Sequence, residues 1–210
     1  MDTITPPFFI VGPAEHGKST VRKKLCEATG LKGASCSDVI YTFWSLVSGT
    51  SEETLRSVPK NVSRPTLVAL GDWLTGGKPC PEGFREPVQS FRQNFPHELV
   101  DGDPSILVDG KLPPPNPAFL IQFLWLNGFR VIDGIRREDE LRSAYPPLEW
   151  VGARPVVVRV TDPRKPHVKG DNFAIRELWT DFDLVNDGTI RDLDEKVKKA
   201  VEFYQFLRTE

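Results

Sequence analysis

Cysteine is scarce in this chain. Cys26, Cys36 and Cys80 are the only three, an odd number never spaced as C-x-x-C. That pattern argues against a disulfide framework and against a zinc site. Histidine is equally sparse, and His16, His97 and His167 are too dispersed to suggest a metal cluster. No apolar run approaches the ~20 residues of a membrane span. Residues Met1 to Pro7 carry neither a basic segment nor an apolar signal core, so the expected location is a reducing cytoplasm. An excess of one charge is lacking too. Against 29 Asp+Glu stand 27 Lys+Arg, a formal charge of −2. Such a chain has no global electrostatic reason to coat nucleic acid or an anionic membrane, and no membrane partner is expected. A few well-placed cations still suffice to bind phosphate locally.

What is present is enough apolar sequence for a core. Of 210 residues, 39% are hydrophobic and 27% charged, which suits one domain of ordinary size. Phe8-Phe9-Ile10-Val11 is short, wholly apolar and closed by Gly12-Pro13, the signature of a buried strand. Val21, Leu25 and Ala28 then mark one face of a helix that stops at Gly30. A short strand is expected over Lys32 to Ser35, then helices over Asp38 to Val47 and Glu52 to Val58, and a further helix opened by Pro65 at its first position. Residues 76–118 are rich in Pro and Gly and read as an irregular functional loop or a surface excursion. Beyond them, a helix over Ala118 to Leu126 leads to a strand over Phe129 to Ile132 ending at Asp133-Gly134. A short helix over Arg137 to Ala144 follows, then strands over Val156 to Val160 and Phe182 to Val185. A last helix carries Leu193, Val197, Ala200, Tyr204 and Leu207 on one face. Strands alternating with helices predict a parallel α/β layered fold.

The segment Gly12-Pro13-Ala14-Glu15-His16-Gly17-Lys18-Ser19-Thr20 matches G-x-x-x-x-G-K-[ST]. The two glycines let the backbone approach phosphates without a Cβ. Successive N–H groups then converge at the positive end of a helix. Lys18 supplies a mobile cation for the β and γ phosphates, and the Ser19 hydroxyl is a hard oxygen suited to Mg²⁺. The strand before and the helix after are the context this loop requires. ATP and Mg²⁺ are therefore the expected cofactors. Neither N-K-x-D nor D-x-x-G occurs, which excludes an ordinary GTPase, and the chain is too short for a large motor. A small P-loop kinase remains, with a non-catalytic ATP-binding module as the alternative.

Val131-Ile-Asp133-Gly-Ile-Arg136-Arg137-Glu-Asp-Glu-Leu141 resembles the segment hhDDVRxxNE of bacteriophage deoxynucleoside monophosphate kinases, within the thymidylate-kinase-like group. Asp181-Phe-Asp-Leu-Val-Asn186-Asp187-Gly188-Thr189-Ile-Arg-Asp-Leu193 is similar to their late D-hhhh-NDGT-hxxL segment. The resemblance covers the phosphate loop and residues 129–207, and is weak across 31–118, where acceptor recognition belongs. It implies a three-layer P-loop fold spanning residues 1–210, with an acceptor-binding insert within 31–118 and a lid over 161–178. It further implies Asp133 at a strand end near Mg²⁺ and Arg136 reaching the transferring phosphoryl or the acceptor. Asp109, after Ile106-Leu107-Val108, is a rival for the metal-side carboxylate. Two departures stand out: Lys18-Ser19-Thr20 where many phage enzymes have Lys-Asp-Thr, and a lid with Arg164, Lys165, Lys169 and Arg176 but no His-Ser-Glu.

The acceptor divides the chemistry. A monophosphate is already an anion and needs arginines, whereas a hydroxyl gains from a carboxylate that takes its proton. Asp38, 20 residues after Lys18, lies where hydroxyl-directed P-loop kinases such as shikimate kinase place an acceptor-contacting Asp; it also suits a helix cap. Arg56, Lys60 and Arg64 are local cations for an acceptor phosphate or a DNA backbone. Tyr41, Phe43, Trp44 and Trp73 are either core or a base-stacking surface. Two acceptors are thus open: a free deoxynucleoside monophosphate, or the hydroxymethyl group of 5-hydroxymethyluracil in hypermodified phage DNA with Asp38 as base. Lys196, Lys198 and Lys199 read as the wet face of the last helix.

Overall fold

The computed structural model describes residues 5–93, 116–150, 153–166 and 180–207. Its centre is β1 (Phe8–Val11), every residue of which is fully buried. β1 pairs in parallel with β3 (Val131–Ile135) on one side and β4 (Val156–Thr161) on the other. β2 (Gly33–Ser35) extends the sheet beyond β3 and β5 (Phe182–Val185) beyond β4, giving the all-parallel order β2-β3-β1-β4-β5.

The pleat sends successive side chains to opposite faces, so the sheet feeds two cores. Phe9, Val11, Ile132 and Val157 face one way. They pack with α2 (Cys36–Ser48), α4 (Lys60–Thr75), α5 (Glu82–Gln93), α6 (Phe119–Leu126) and α7 (Glu138–Trp150). Phe8, Ile10, Val131, Val156, Val158 and Val160 face the other way, against α1 (Lys18–Thr29) and α8 (Ile190–Leu207). The result is a three-layer α/β fold. The short α3 (Glu52–Ser57) packs against α2, and its Leu55 is buried. Among the described residues no helix is long and apolar enough to cross a membrane.

The topology fixes where a ligand crevice opens. The helix after β1 covers one face of the sheet, and the helix after the adjacent β3 covers the other. The two connections diverge, leaving a gap outside the carboxyl ends of β1 and β3, which is the switch point of an open α/β sheet.

Several expected boundaries shift. Pro65 does not open α4; the helix begins at Lys60 after Pro59, and Pro65 sits inside it. Ser63 N bonds Pro59 O, starting the helix upstream of the proline. The buried stripe Leu70 and Leu74 packs against α2, and this burial offsets the backbone bond that Pro65 cannot make. The irregular stretch 76–118 contains a real helix, α5, despite Pro87. Phe84 packs on Trp73 and Phe91 on Phe43, so tertiary contact overrides local punctuation. Residues 94–115 lie outside those described. β3 runs to Ile135 rather than stopping at Asp133, because the register jumps between Ile10↔Asp133 and Val11↔Ile135. Gly134, at φ +86°, is the extra residue of that bulge. α7 continues past Ala144 to Trp150.

Candidate functional site

Residues 12–17 turn from the end of β1 into α1, and the turn is made in left-handed backbone. Gly12 has φ +146°, Glu15 φ +66° and Gly17 φ +99°. A Cβ on Gly12 would lie 2.1 Å from Val160 O on the neighbouring strand, so only glycine fits. Glu15 adopts its conformation without that freedom, at about 1–2 kcal/mol, and external contacts hold it. Lys165 Nζ donates to Glu15 O at 2.6 Å, Asp162 N donates to His16 Nδ1 at 2.8 Å, and Asn186 Nδ2 reaches His16 O at 3.4 Å. From inside, Lys18 Nζ donates to Gly12 O (2.7 Å) and Pro13 O (2.5 Å). The late Asn186-Asp187-Gly188-Thr189 segment thus divides its work. Asn186 braces the loop, Asp187 pairs with Lys196 at 2.9 Å, and Thr189 forms a reciprocal cap with Asp192 on α8. Lys196 is therefore not merely wet helix surface.

α1 starts on Gly17 with no side-chain cap and no acidic residue in its first turn. The N–H groups of that turn are the donors a helix start presents to an anion. The Ser19 hydroxyl is exposed and makes no hydrogen bond among the described residues. Pro13 and His16 are buried, Glu15 is exposed, and Ala14, Gly17, Lys18 and Thr20 are half-buried.

Asp133 stands beside this loop, paired in register with Ile10 on β1 and Ser35 on β2. It is 4% exposed. Burial pushes its pKa above the ordinary carboxylate value, while Arg22, the Ser35 hydroxyl and Lys18 pull it back. Arg22 Nη1 lies 3.4 Å from Asp133 Oδ1 and 3.6 Å from Asp38 Oδ2. Arg56 Nη1 meets Asp38 Oδ1 at 2.9 Å, and Glu52 holds Arg56 at 3.1 Å. A continuous row Arg56–Asp38–Arg22–Asp133 therefore joins α3, α2, α1 and β3 across the carboxyl edge of the sheet. Arg22 escaped the sequence reading, although its spacing four residues after Lys18 puts both on one helix face.

Asp38 is also the N3 member of a capping box. Ser35 N donates to its Oδ2 at 2.7 Å while the Ser35 side chain caps the first turn of α2. Both readings of Asp38 thus share one position, a cap at the crevice edge. Arg64 is half-buried on α4 and forms no ion pair or hydrogen bond among the described residues. Arg136 sits past β3, close enough to act on buried Cys36, and its guanidinium has no ion pair among the described residues. Its neighbour Arg137 is structural. It binds Asp72 (3.3 Å), Thr75 (3.2 Å) and Glu140 (3.4 Å), tying α4 to the β3–α7 turn. Glu140 accepts from the amides of Arg136 and Arg137, and its burial raises its pKa.

On the expected lid, Arg164 makes a two-pronged pair with Asp162 (2.9 and 3.1 Å) and donates to Asn186 O. That hydrogen bonding depresses the Asp162 pKa. Lys169, Arg176 and the rival Asp109 lie outside the described residues, as do His97 and His167. Phe43 is core at 0% exposure. Tyr41 is buried, with Arg56 4.4 Å above its ring. Trp44 and Trp73, with Phe84 and Pro65, line a groove of about 520 Å³ between α2 and α4. Cys26, Cys36 and Cys80 are free thiols, and among the described residues no three His, Cys, Asp or Glu side chains cluster as a metal site. No family model and no curated protein matches this chain.

Proposed function

We propose that the chain is an ATP-dependent phosphotransferase of the P-loop kinase class, acting on a deoxynucleoside monophosphate. One observation carries the reading. A braced, left-handed glycine loop closes the central strand and opens a helix without a side-chain cap, beside a buried carboxylate at the switch point of a parallel sheet. The residues present suit both cofactors. The α1 amides and Lys18 suit the triphosphate, and the free Ser19 hydroxyl with the Asp133 carboxylate is a hard-oxygen pair that would hold Mg²⁺. When bound, Mg²⁺ neutralises phosphate charge and orients the γ-phosphoryl.

Lys18 exchanges its loop carbonyls for phosphate oxygens and stabilises charge as it moves to the leaving β-phosphate. An oxygen of the acceptor phosphate forms the new bond to the γ-phosphorus, the β–γ bridging bond breaks, and ADP departs. The acceptor oxygen is already ionised, so no base is required. Arg136, without an ion pair among the described residues, supplies positive charge toward the transferring group.

The hydroxyl-directed reading rests on Asp38, whose side chain is 36% exposed at the crevice edge. To accept a proton from a substrate it must surrender Arg56 or Arg22, which weighs against it. The deciding experiment offers γ-labelled ATP with each deoxynucleoside monophosphate and with DNA containing 5-hydroxymethyluracil. Label in a free diphosphate supports the proposal. Label in the DNA alone transfers it to the hydroxyl reading, and ATP binding with no acceptor-dependent turnover leaves only a binding module.

A further inference from the structure

His16 is the one titratable side chain of the Gly12–Thr20 segment that is buried, at 4% exposure. Its ring accepts a hydrogen bond from Asp162 N, 2.8 Å from Nδ1. A backbone N–H can only donate, so this contact fixes the chemistry of the ring. Nδ1 carries a lone pair, the proton sits on Nε2, and the imidazole is neutral. An imidazolium would carry a hydrogen on Nδ1 as well, and two N–H groups would then face each other across a buried 2.8 Å contact.

That contact is one link in a closed ring joining three loops at the carboxyl edge of the sheet. Arg164 grips both Asp162 carboxylate oxygens, at 2.9 and 3.1 Å, and donates to Asn186 O at 2.8 Å. Asn186 Nδ2 returns to His16 O at 3.4 Å. Asn186 N also donates to Thr161 O at 2.6 Å, fastening the loop after β5 to the end of β4. His16 is thus held at both its side chain and its carbonyl. It stands between Glu15 at φ +66° and Gly17 at φ +99°, the left-handed corner of the loop.

His16 is also the member of that ring whose charge changes near neutrality. From the turn after β4, Arg164 holds the Asp162 carboxyl below its ordinary range, and Lys165 is engaged with Glu15 O. From the loop after β5, Asp187 pairs with Lys196. Within its own loop, Glu15 is exposed and Lys18 lies on the Gly12 and Pro13 carbonyls. An imidazole ordinarily titrates between about pH 5 and 8, where these other charges persist.

We propose that His16 is a positioning residue: its neutral ring anchors the Gly12–Gly17 loop to the end of β4, and a proton on Nδ1 releases the loop, so that its hold on a nucleotide weakens on acidification. The nucleotide rests on the kinase reading above; the anchor does not.

The test uses the full chain with His16→Asn and His16→Ala, at pH 7.5 and 5.5, either side of the ordinary imidazole value of about 6.5. Asn Oδ1 takes the place of Nδ1, accepts the same bond and does not titrate. Calorimetry with Mg·ATP should show His16→Ala weakened about 10-fold or more at pH 7.5, with His16→Asn recovering most of that loss. Between the two pH values the wild type should lose about 3- to 10-fold more affinity than His16→Asn. Without nucleotide, the amides of residues 12–17 should exchange alike in wild type and His16→Asn at pH 7.5 and faster in wild type at pH 5.5. Should His16→Ala fail to fold, the His16→Asn comparison decides alone. An Asn variant that loses affinity and loop protection as steeply as wild type overturns the anchor and leaves the kinase reading standing, as does an Ala variant that binds like wild type at pH 7.5. A wild type that ignores Mg·ATP at both pH values while its loop amides loosen through His16 keeps the anchor and removes the kinase reading.

Discussion

The guanidinium of Arg22 lies 3.4 Å from the Asp133 carboxylate and is the largest influence opposing the rise in its pKa. If Asp133 must be ionised to work beside the Gly12–Gly17 loop, Arg22 sets the pH at which it does so. Arg22→Met should therefore move the acid limb of the pH–rate profile to higher pH and reduce kcat at neutral pH by about tenfold or more. Arg22→Lys should restore much of both. A lost rate with an unmoved acid limb would mean that Arg22 only packs.

Asp133, Glu140 and Asp181 all have pKa values raised by burial. In each case the folded chain keeps its proton at a pH where the unfolded chain, near 4 for an ordinary carboxyl, has already released it. The folded state then binds more protons, so stability falls as pH rises through that window and is recovered below it. Urea unfolding at a series of pH values from 7 down to 4 should show these three groups contributing a gain in stability on acidification toward the unfolded carboxyl value. Asp133→Asn should flatten the gain. An identical slope in the variant would contradict the burial assigned to Asp133.

Lys18 bridges two carbonyls of its own loop, a contact any ligand must displace. Lys18→Ala should leave far-UV circular dichroism unchanged while lowering kcat about 10²- to 10³-fold, the usual cost of removing one preorganised charge donor. Turnover near wild type would remove the Gly12–Lys18 loop from the proposed chemistry.

Asp38→Asn separates the two acceptors. The amide oxygen can still accept from Ser35 N, so the α2 cap survives, but the charge facing Arg56 and Arg22 is lost. With a phosphate acceptor, kcat should stay within about tenfold of wild type, because no proton needs removing. Loss of all turnover, with the melting temperature preserved, would make Asp38 the base after all.

Part of this architecture was readable in advance. The apolar run Phe8–Val11, the glycine spacing after it and the 3.6-residue stripe of α8 are local signals, and each names its own element. What escaped depends on distant contacts. α5 hides behind Gly83 and Pro87 because its stability comes from Phe84 on Trp73 and Phe91 on Phe43, partners no window contains. The bulge at Gly134 arises only when β3 lies against β1. Arg22 looks like one more cation on the helix surface until α2 and β3 bring two carboxylates to it.

Two glycines test whether the loop or its packing limits the fold. Gly12 and Gly30 both hold positive φ, +146° and +72°. An added Cβ at Gly30 meets nothing within 4 Å, so Gly30→Ala should cost only the backbone term, about 1 kcal/mol. At Gly12 the same carbon would strike Val160 O at 2.1 Å, and that oxygen belongs to β4, a strand fixed on both sides by β1 and β5. Neither partner can give way without moving the sheet, so Gly12→Ala should cost about 3 kcal/mol or more. Near 2–4 °C of melting temperature per kcal/mol for a chain of this length, the two variants should differ by several degrees. Equal losses would mean that β1 and β4 do not close over the loop as tightly as their register requires.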